Sequence, residues 1–244
     1  MGIENVCLIP VSVYRDDNRS ILDGLKRLKG KARAVVCIDP FTISDEELAD
    51  MDKQGVCGVR LNLRSRSQNP TKEQFAEQLQ AYAKRLRPLN WSLHIYIKLP
   101  QVQLIVDEIP KLGIDVVIDH IAHPDTDKAA RDTPGYAEFM RLLENGQVWT
   151  KLSSTFRFTD LPDLDEYAKK IVQIAPERVV WATDWPHTGG AGMVKEHEKG
   201  QPQEYRKVDN VDIVLKTLAW CGHDEKLIQK IFVDNPKRLY RVTS

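Results

Sequence analysis

Short apolar runs rich in β-branched residues alternate along the chain with segments whose apolar positions recur at helical spacing. The runs predict strands: Val6–Val13, Ala34–Ile38, Val56–Leu63, Leu93–Leu99, Asp115–Asp119, Val148–Leu152 and Arg178–Thr183. The segments between and after them predict helices: Ser20–Leu28, Asp45–Lys53, Lys72–Leu86, Val102–Leu112, Tyr136–Leu143, Leu164–Ile174, Val211–Trp220 and Glu225–Val233. This alternation predicts βαβ units and a parallel sheet.

Two predicted helices begin with capping signals. Ser44 precedes an acidic first turn, and Thr71 precedes Lys72-Glu73-Gln74, so each can close a capping box. No Gly/Ser linker or change in composition divides the chain. We therefore expect one domain over residues 1–244.

The positions of the polar residues distinguish two parallel folds. A doubly wound nucleotide-binding sheet would carry a Gly-rich turn after its first strand, and the segment after Val6–Val13 has no such turn. His94, Tyr96 and Lys98 share one face of their predicted strand, whereas buried parallel strands are usually apolar on both faces. A polar stripe that points into a barrel explains this pattern. We predict an α/β fold of the (β/α)8 TIM-barrel type, counted one strand short.

Composition and charge exclude several classes of function. The 244 residues carry 35 Lys plus Arg and 35 Asp plus Glu, and this neutral balance argues against nucleic acid or an anionic membrane as the partner. No apolar run is long enough for a membrane span. The start has no signal-peptide layout, and the four cysteines form no CxxC pair. We expect a reducing, cytoplasmic location.

Ionisable residues gather where the predicted strands end, which is where barrel enzymes place their active sites. Asp184 is the strongest candidate: it can act as a general base that deprotonates water, with its carboxylate shielded by Trp181 and Trp185, although it can also simply cap the following turn. His120 can polarise a substrate carbonyl or hold a metal. Arginines at the strand ends bind carboxylates in a bidentate geometry, although such residues also form ordinary salt bridges. Together these residues indicate an anionic substrate that is attacked by water.

Several motifs carry a resemblance to a known family. They are Gly58-Val59-Arg60-Leu61-Asn62, Trp91-Ser92-Leu93-His94, Val117-Ile118-Asp119-His120, Lys151-Leu152-Ser153, Trp181-Ala182-Thr183-Asp184-Trp185-Pro186-His187 and Asn235-Pro236-Lys237-Arg238-Leu239-Tyr240. In this order the chain resembles the amidohydrolase-2 branch of the amidohydrolase superfamily. Within that branch it is most similar to the 2-pyrone-4,6-dicarboxylate lactonase-like hydrolases.

The resemblance implies roles for named residues. Asp184 takes the place of the water-activating base, and His120 lies near the substrate carbonyl. Four residues correspond to those that hold the substrate carboxylates: Arg60, Arg66, Tyr96 and Arg157. His123 stands where the family has an arginine, which implies a related but different substrate. His94, Lys151 and His187 complete the predicted substrate-binding set.

The family's first strand ends in a His-x-His pair that supplies two metal ligands or, in the metal-independent lactonases, two polar site residues, and this sequence has no such pair. Val6–Val13 resembles the family's second strand, so we expect the first βα unit to be missing and the barrel to be incomplete. His120 and Asp184 alone would make a poor zinc site. We therefore predict no tightly held metal and no other cofactor. The open sheet edges favour a homo-oligomer.

The leading hypothesis is a hydrolase that opens a small carboxylated lactone or a related cyclic ester. One alternative is a decarboxylase or another lyase of the same superfamily. A Schiff-base aldolase acting through Lys151 or Lys98 is a weaker idea. A degenerate barrel that binds a small acid without catalysis is the non-enzymatic alternative.

Overall fold

Seven parallel strands form one sheet in which each strand pairs with its neighbour in the sequence. The computed structural model describes residues 2–11, 14–63, 70–187, 201 and 204–242. The strands are β1 (Val6–Leu8), β2 (Ala32–Val36), β3 (Val56–Asn62), β4 (Ser92–Tyr96), β5 (Val116–Ile118), β6 (Trp149–Leu152) and β7 (Val179–Trp181). A doubly wound sheet reverses its strand order, but this sheet runs from β1 to β7 without reversal and curls into a half-barrel. The prediction of an incomplete TIM-barrel-like α/β fold is confirmed.

Helices connect the strands on the outer face. They are α1 (Arg19–Leu28), α2 (Asp45–Gln54), α3 (Lys72–Leu86), α4 (Val102–Ile105), α5 (Tyr136–Glu144), α6 (Leu164–Ile174), α7 (Asn210–Trp220), α8 (Glu225–Gln229) and α9 (Asn235–Leu239). Both capping boxes are present: Ser44 and Glu47 close the start of α2, and Thr71 and Gln74 close the start of α3. None of the helices in the described part of the chain combines the length and apolar character that a membrane crossing needs.

Some predicted boundaries were wrong. The helix expected over Val102–Leu112 is only the short α4 followed by a 3₁₀ turn at Ile109–Lys111, because Pro110 has no N–H to continue the helical hydrogen bonds. The helix predicted over Glu225–Val233 is α-helical only as far as Gln229. It continues as a π-helical turn over Lys230–Asp234, which leads into α9. The strand expected over Val6–Val13 stops at Leu8, and its last two residues lie outside the described residues.

Apolar side chains fill both faces of the sheet, but the inner face is apolar only toward the amino ends of the strands. The inner cluster consists of Cys57, Val117, Trp149, Val180, Leu239 and Tyr240. Leu239 and Tyr240 come from the end of α9 and the residue that follows it, so the C-terminal segment closes the bottom of the half-barrel. The polar side chains above this cluster lie toward the carboxyl ends.

The Tyr240 ring stabilises this closure. It is buried and stacks on the His94 ring, with centroids 6.0 Å apart. We expect Tyr240→Ala to lower the free energy of unfolding, measured with urea, by about 3–5 kcal/mol, as for other large aromatic truncations in cores. Tyr205→Ala is the matched control, because Tyr205 is 66% exposed, and should change it by less than about 0.5 kcal/mol. Equal effects of the two substitutions would contradict the assigned closure.

Candidate active site

The structure brings the predicted polar side chains to the carboxyl-end mouth of the half-barrel. Arg60 lies on β3, His94 and Tyr96 on β4, and Lys151 on β6, while His120, His123, Arg157, Asp184 and His187 follow strands β5, β6 and β7. Arg66 lies outside the described residues. The side chains form two layers: a buried ionic layer and, nearer the mouth, a layer around Asp184.

The buried layer is centred on Asp119, a residue that was not among the predicted site residues. Its Oδ2 atom accepts a hydrogen bond from Arg60 Nε at 2.9 Å, and its Oδ1 atom lies 2.7 Å from Lys151 Nζ. Burial alone would raise the pKa of this carboxyl, but the Lys151 ammonium and the Arg60 guanidinium hold the pKa well below its ordinary value. Two cations on one carboxylate leave a surplus of one positive charge below the mouth.

His94 belongs to this buried layer and not to the mouth. Its Nδ1 atom lies 2.9 Å from Lys151 Nζ, and its Nε2 atom lies 3.0 Å from Ser92 Oγ. Burial, together with the nearby Lys151 charge, lowers the pKa of His94 well below its ordinary value. A neutral imidazole has one donor and one acceptor nitrogen, and because the Lys151 ammonium can only donate, His94 accepts at Nδ1 and donates from Nε2 to Ser92 Oγ. The structure therefore places His94 as a support for Lys151, below the position expected for a substrate contact.

Asp184 and His120 face each other at the mouth. His120 Nε2 lies 3.8 Å from Asp184 Oδ1. The other carboxylate oxygen, Oδ2, accepts a hydrogen bond from the Ser154 hydroxyl and lies 3.4 Å from Arg157 Nη2. His120 Nδ1 lies 2.7 Å from Ser153 Oγ. Burial lowers the pKa of His120 to about 4, although Asp184 and Asp119 oppose this shift, so the ring is neutral near pH 7.

The turns that carry these groups leave the strands through left-handed backbone. The φ angles are +54° at His120, +40° at His123, +60° at Ser154 and +56° at Asp184. Residues with a Cβ seldom adopt this region, and such strain concentrates at functional sites. The turns after β5, β6 and β7 bring His120 and Ser154 next to Asp184.

The expected shielding of Asp184 by tryptophans was wrong. Trp185 is 73% exposed, and the Trp181 ring stacks on Phe232 with centroids 5.0 Å apart. The Trp181 side chain points outward from β7 and packs against the apolar core between the sheet and the helices. Ser154 and Arg157 contact the carboxylate instead.

Tyr96 connects the two layers. Its hydroxyl lies 2.9 Å from His123 Nδ1, and its ring meets the His120 ring edge-on at 4.8 Å. The Arg60 guanidinium lies over the same ring at 5.2 Å. The His123 ring in turn packs edge-on against Phe158 at 5.0 Å. The Tyr96 ring therefore contacts Arg60 in the buried layer and His120 in the layer around Asp184.

His187 lies beside the mouth. Its Nε2 atom is 2.8 Å from Asn210 Oδ1, and its ring packs edge-on against Phe156 at 4.8 Å. Its buried Nδ1 atom has no hydrogen-bond partner among the described residues. Phe156 also lies under the Arg157 guanidinium, at 4.9 Å. His187 therefore meets the site through Phe156.

Asp119, Ser153 and Ser154 were not predicted from the sequence as functional residues. Side chains alternate between the two faces of a strand, and the Asp119 and Ser153 side chains continue the inward-pointing series of β5 and β6. This alternation could be read from the sequence. In an extended strand the Ser154 side chain would point outward, and its left-handed φ angle turns the hydroxyl inward.

The donor set at the mouth is small for a metal. Within the described ranges, no group of three or more His, Cys, Asp or Glu residues is arranged to hold a metal ion. His120 and Asp184 offer two donors, and Asp119 is occupied by two cations. Catalytic zinc sites use three protein ligands, so these described residues do not fit one.

The low pKa of His120 predicts a pH-dependent stability. An unfolded histidine titrates near 6.5 and folded His120 near 4, so the unfolded chain binds the proton first as the pH falls. Neutral His120 therefore contributes to the free energy of unfolding. This contribution is about 3 kcal/mol above about pH 6.5 and is lost as the pH falls toward 4. Urea unfolding at several pH values should show a steeper loss of stability in the wild type than in His120→Gln, which keeps the separate contribution of buried His94.

Thr150→Val is the matched control for that experiment. It removes a buried hydroxyl that donates to the Ile118 carbonyl at 2.8 Å but changes no titratable group. Its stability should fall with pH as steeply as that of the wild type. Equal pH dependence in the wild type and His120→Gln would contradict the assignment.

Comparisons with known proteins show the family and the fold. A family profile described as amidohydrolase matches residues 3–242. A 2-pyrone-4,6-dicarboxylate hydrolase from Comamonas testosteroni is 30% identical, over 98% of this chain and 77% of that protein. A 4-sulfomuconolactone hydrolase from Hydrogenophaga intermedia is 26% identical, over 98% of this chain and 75% of that protein. The crystal structure of a putative 2-pyrone-4,6-dicarboxylic acid hydrolase from Pseudomonas putida is 26% identical with a TM-score of 0.78, covering 99% of this chain and 83% of that one.

Proposed function

The chain belongs to the amidohydrolase family and is a hydrolase, and from this premise we propose that it opens a small carboxylated lactone or related cyclic ester with Asp184-activated water. The observation that carries the proposal is the 3.8 Å approach of His120 Nε2 to Asp184 Oδ1 at the open mouth. A base and a neutral donor that lie this close together can act on the same small substrate, which supports the proposal. The names of the two curated relatives support the substrate class, since each specifies an anionic lactone.

Water addition is the first step of the proposed reaction. Asp184 takes one proton from water while the water oxygen bonds to the ring carbonyl carbon. The carbonyl π electrons move to the carbonyl oxygen, which accepts a hydrogen bond from His120 Nε2–H. A neutral donor suits this task because it stabilises the oxyanion without surrendering its proton.

Ring opening is the second step. The oxyanion collapses, the bond from the carbonyl carbon to the ring oxygen breaks, and that oxygen leaves with the proton held by Asp184. The same carboxyl thus serves as base and then as acid. The product carries a new carboxyl group and a new hydroxyl or enol group, and Asp184 is restored.

The anionic groups of the substrate are held by the cationic side of the mouth. The buried surplus charge of Arg60 and Lys151 over Asp119 attracts an anion from below. Arg157 lies beside the reacting carboxylate and can bind a carboxylate in a bidentate manner. We propose that Tyr96 and His123 line the remaining sides, that His187 acts through Phe156, and that Arg66 completes the set. His94 acts through Lys151.

Asp184→Asn tests the base. The amide cannot accept the proton from water, so we expect kcat/KM on the best substrate of a carboxylated-lactone panel to fall about 10²- to 10⁴-fold. Asp107→Asn, which alters an exposed carboxylate paired with Lys72, is the control and should retain full activity. Mass spectrometry should show a gain of one water. Full activity in Asp184→Asn would remove it from the mechanism, and loss of carbon dioxide would identify a decarboxylase.

We also propose that the reaction needs no metal, because the described donors are too few. Elemental analysis of the purified protein should give well under one equivalent of zinc or manganese. Prolonged treatment with a chelator should leave lactone hydrolysis unchanged. Stoichiometric metal whose removal abolishes activity, with recovery on its return, would overturn this part of the proposal.

A further inference from the structure

Two consecutive buried serines follow β6, and each contacts a different reacting group. Ser153 Oγ lies 2.7 Å from His120 Nδ1, and the Ser154 hydroxyl donates to Asp184 Oδ2. We propose that Ser153 and Ser154 are positioning residues: Ser153 fixes the tautomer of His120, and Ser154 selects the carboxylate oxygen of Asp184 that receives the proton. This inference rests on the proposed function and assigns that site two residues beyond those already given roles.

The backbone explains how neighbours in sequence can serve one site. Along β6 the inward side chains are those of Trp149 and Lys151, so an extended continuation would point Ser153 inward and Ser154 outward. Ser154 instead has φ +60°, and its carbonyl accepts a hydrogen bond from the Arg157 N–H at 2.8 Å. This tight turn brings the second hydroxyl back to the same volume. Both serines are at most 1% exposed, so water does not compete for their hydroxyls.

Ser153 determines which nitrogen of His120 carries the proton. A neutral imidazole has one donor and one acceptor, and the lowered pKa of His120 keeps the ring neutral near pH 7. When the Ser153 hydroxyl donates to Nδ1, the proton must lie on Nε2, which faces Asp184 Oδ1 and the mouth. The opposite tautomer would point a lone pair at the developing oxyanion and repel it.

Ser154 determines which oxygen of Asp184 reacts. Arg157 Nε donates to Ser154 Oγ at 3.0 Å, and the Ser154 hydroxyl passes its own hydrogen to Asp184 Oδ2. Arg157 Nη2 approaches the same Oδ2 atom at 3.4 Å. Two donors therefore stabilise the negative charge on Oδ2. Oδ1, on the His120 side, is the oxygen oriented to take the proton from water.

Nitrogen NMR of the substrate-free enzyme tests the role of Ser153. The His120 ring signals, assigned by their loss in His120→Gln, should show the Nε2–H tautomer in the wild type. Ser153→Ala should shift them toward a mixture of tautomers, and Ser153→Thr, which keeps a hydroxyl, should restore the wild-type pattern. An Nδ1–H tautomer in the wild type, or an unchanged pattern in Ser153→Ala, would overturn the inference for Ser153.

Steady-state kinetics on the lactone that the wild type opens tests both serines. Ser153→Ala and Ser154→Ala should each lower kcat about 10- to 100-fold and change KM less than about 3-fold, because they misplace reacting groups without removing a substrate contact. Ser153→Thr should regain most of the lost kcat. Thr150→Val, which also removes a buried hydroxyl, on β6 itself, should keep kcat within about twofold of the wild type.

The outcomes separate this inference from the proposed function. If the wild type opens no lactone, the proposed function fails, while the tautomer measurement still decides the role of Ser153. If the wild type is active and Ser154→Ala keeps its kcat, the assignment of Ser154 is overturned. Urea unfolding of each variant identifies losses of kcat that come from a damaged fold, and an equal loss of kcat in Thr150→Val would also count against the inference.

Discussion

A single buried carboxylate organises the interior above the apolar cluster. Asp119 follows β5 and is held by Arg60 from β3 and Lys151 from β6. Such a group is very costly to bury unless cations and hydrogen bonds compensate it, so this arrangement is fixed wherever the fold forms. His120 is the next residue along the chain. The position of the proposed electrophilic donor thus depends directly on how Asp119 is anchored.

Both charged and neutral groups connect that anchor to the rest of the site. Lys151 is shared between Asp119 and the neutral ring of His94, which stacks on Tyr240 above the closed bottom of the half-barrel. Nearer the mouth, the Ser153 hydroxyl contacts His120, and the Ser154 hydroxyl contacts Asp184 together with the Arg157 guanidinium. Rigid ionic support below and directional hydrogen bonds above together provide the preorganisation that a hydrolytic site requires. The surplus positive charge is local, since the whole chain is neutral.

Much of the fold and part of the site could be predicted from the sequence. The element order, the helices Lys72–Leu86 and Leu164–Ile174, and the inward parity of Arg60 follow from local periodicity. The predicted extent of α4 failed because Pro110 interrupts a pattern whose apolar spacing still looks helical. The shielding expected from Trp185 failed because nearness in sequence does not determine which way a side chain leaves a turn.

The sequence by itself determined which chemical groups would gather at the strand ends, because parallel strands bring their carboxyl ends to one edge and side chains alternate with period two. Only the tertiary structure decided which of them pair. Asp119 meets Arg60 across 59 positions of sequence, and His94 meets Lys151 across 57; such contacts depend on strand register and sheet curvature. The inward turn of Ser154 depends on one positive φ angle that no periodicity records. Local sequence patterns therefore specified which residues reach the strand ends, and long-range packing specified which of them contact one another in the site.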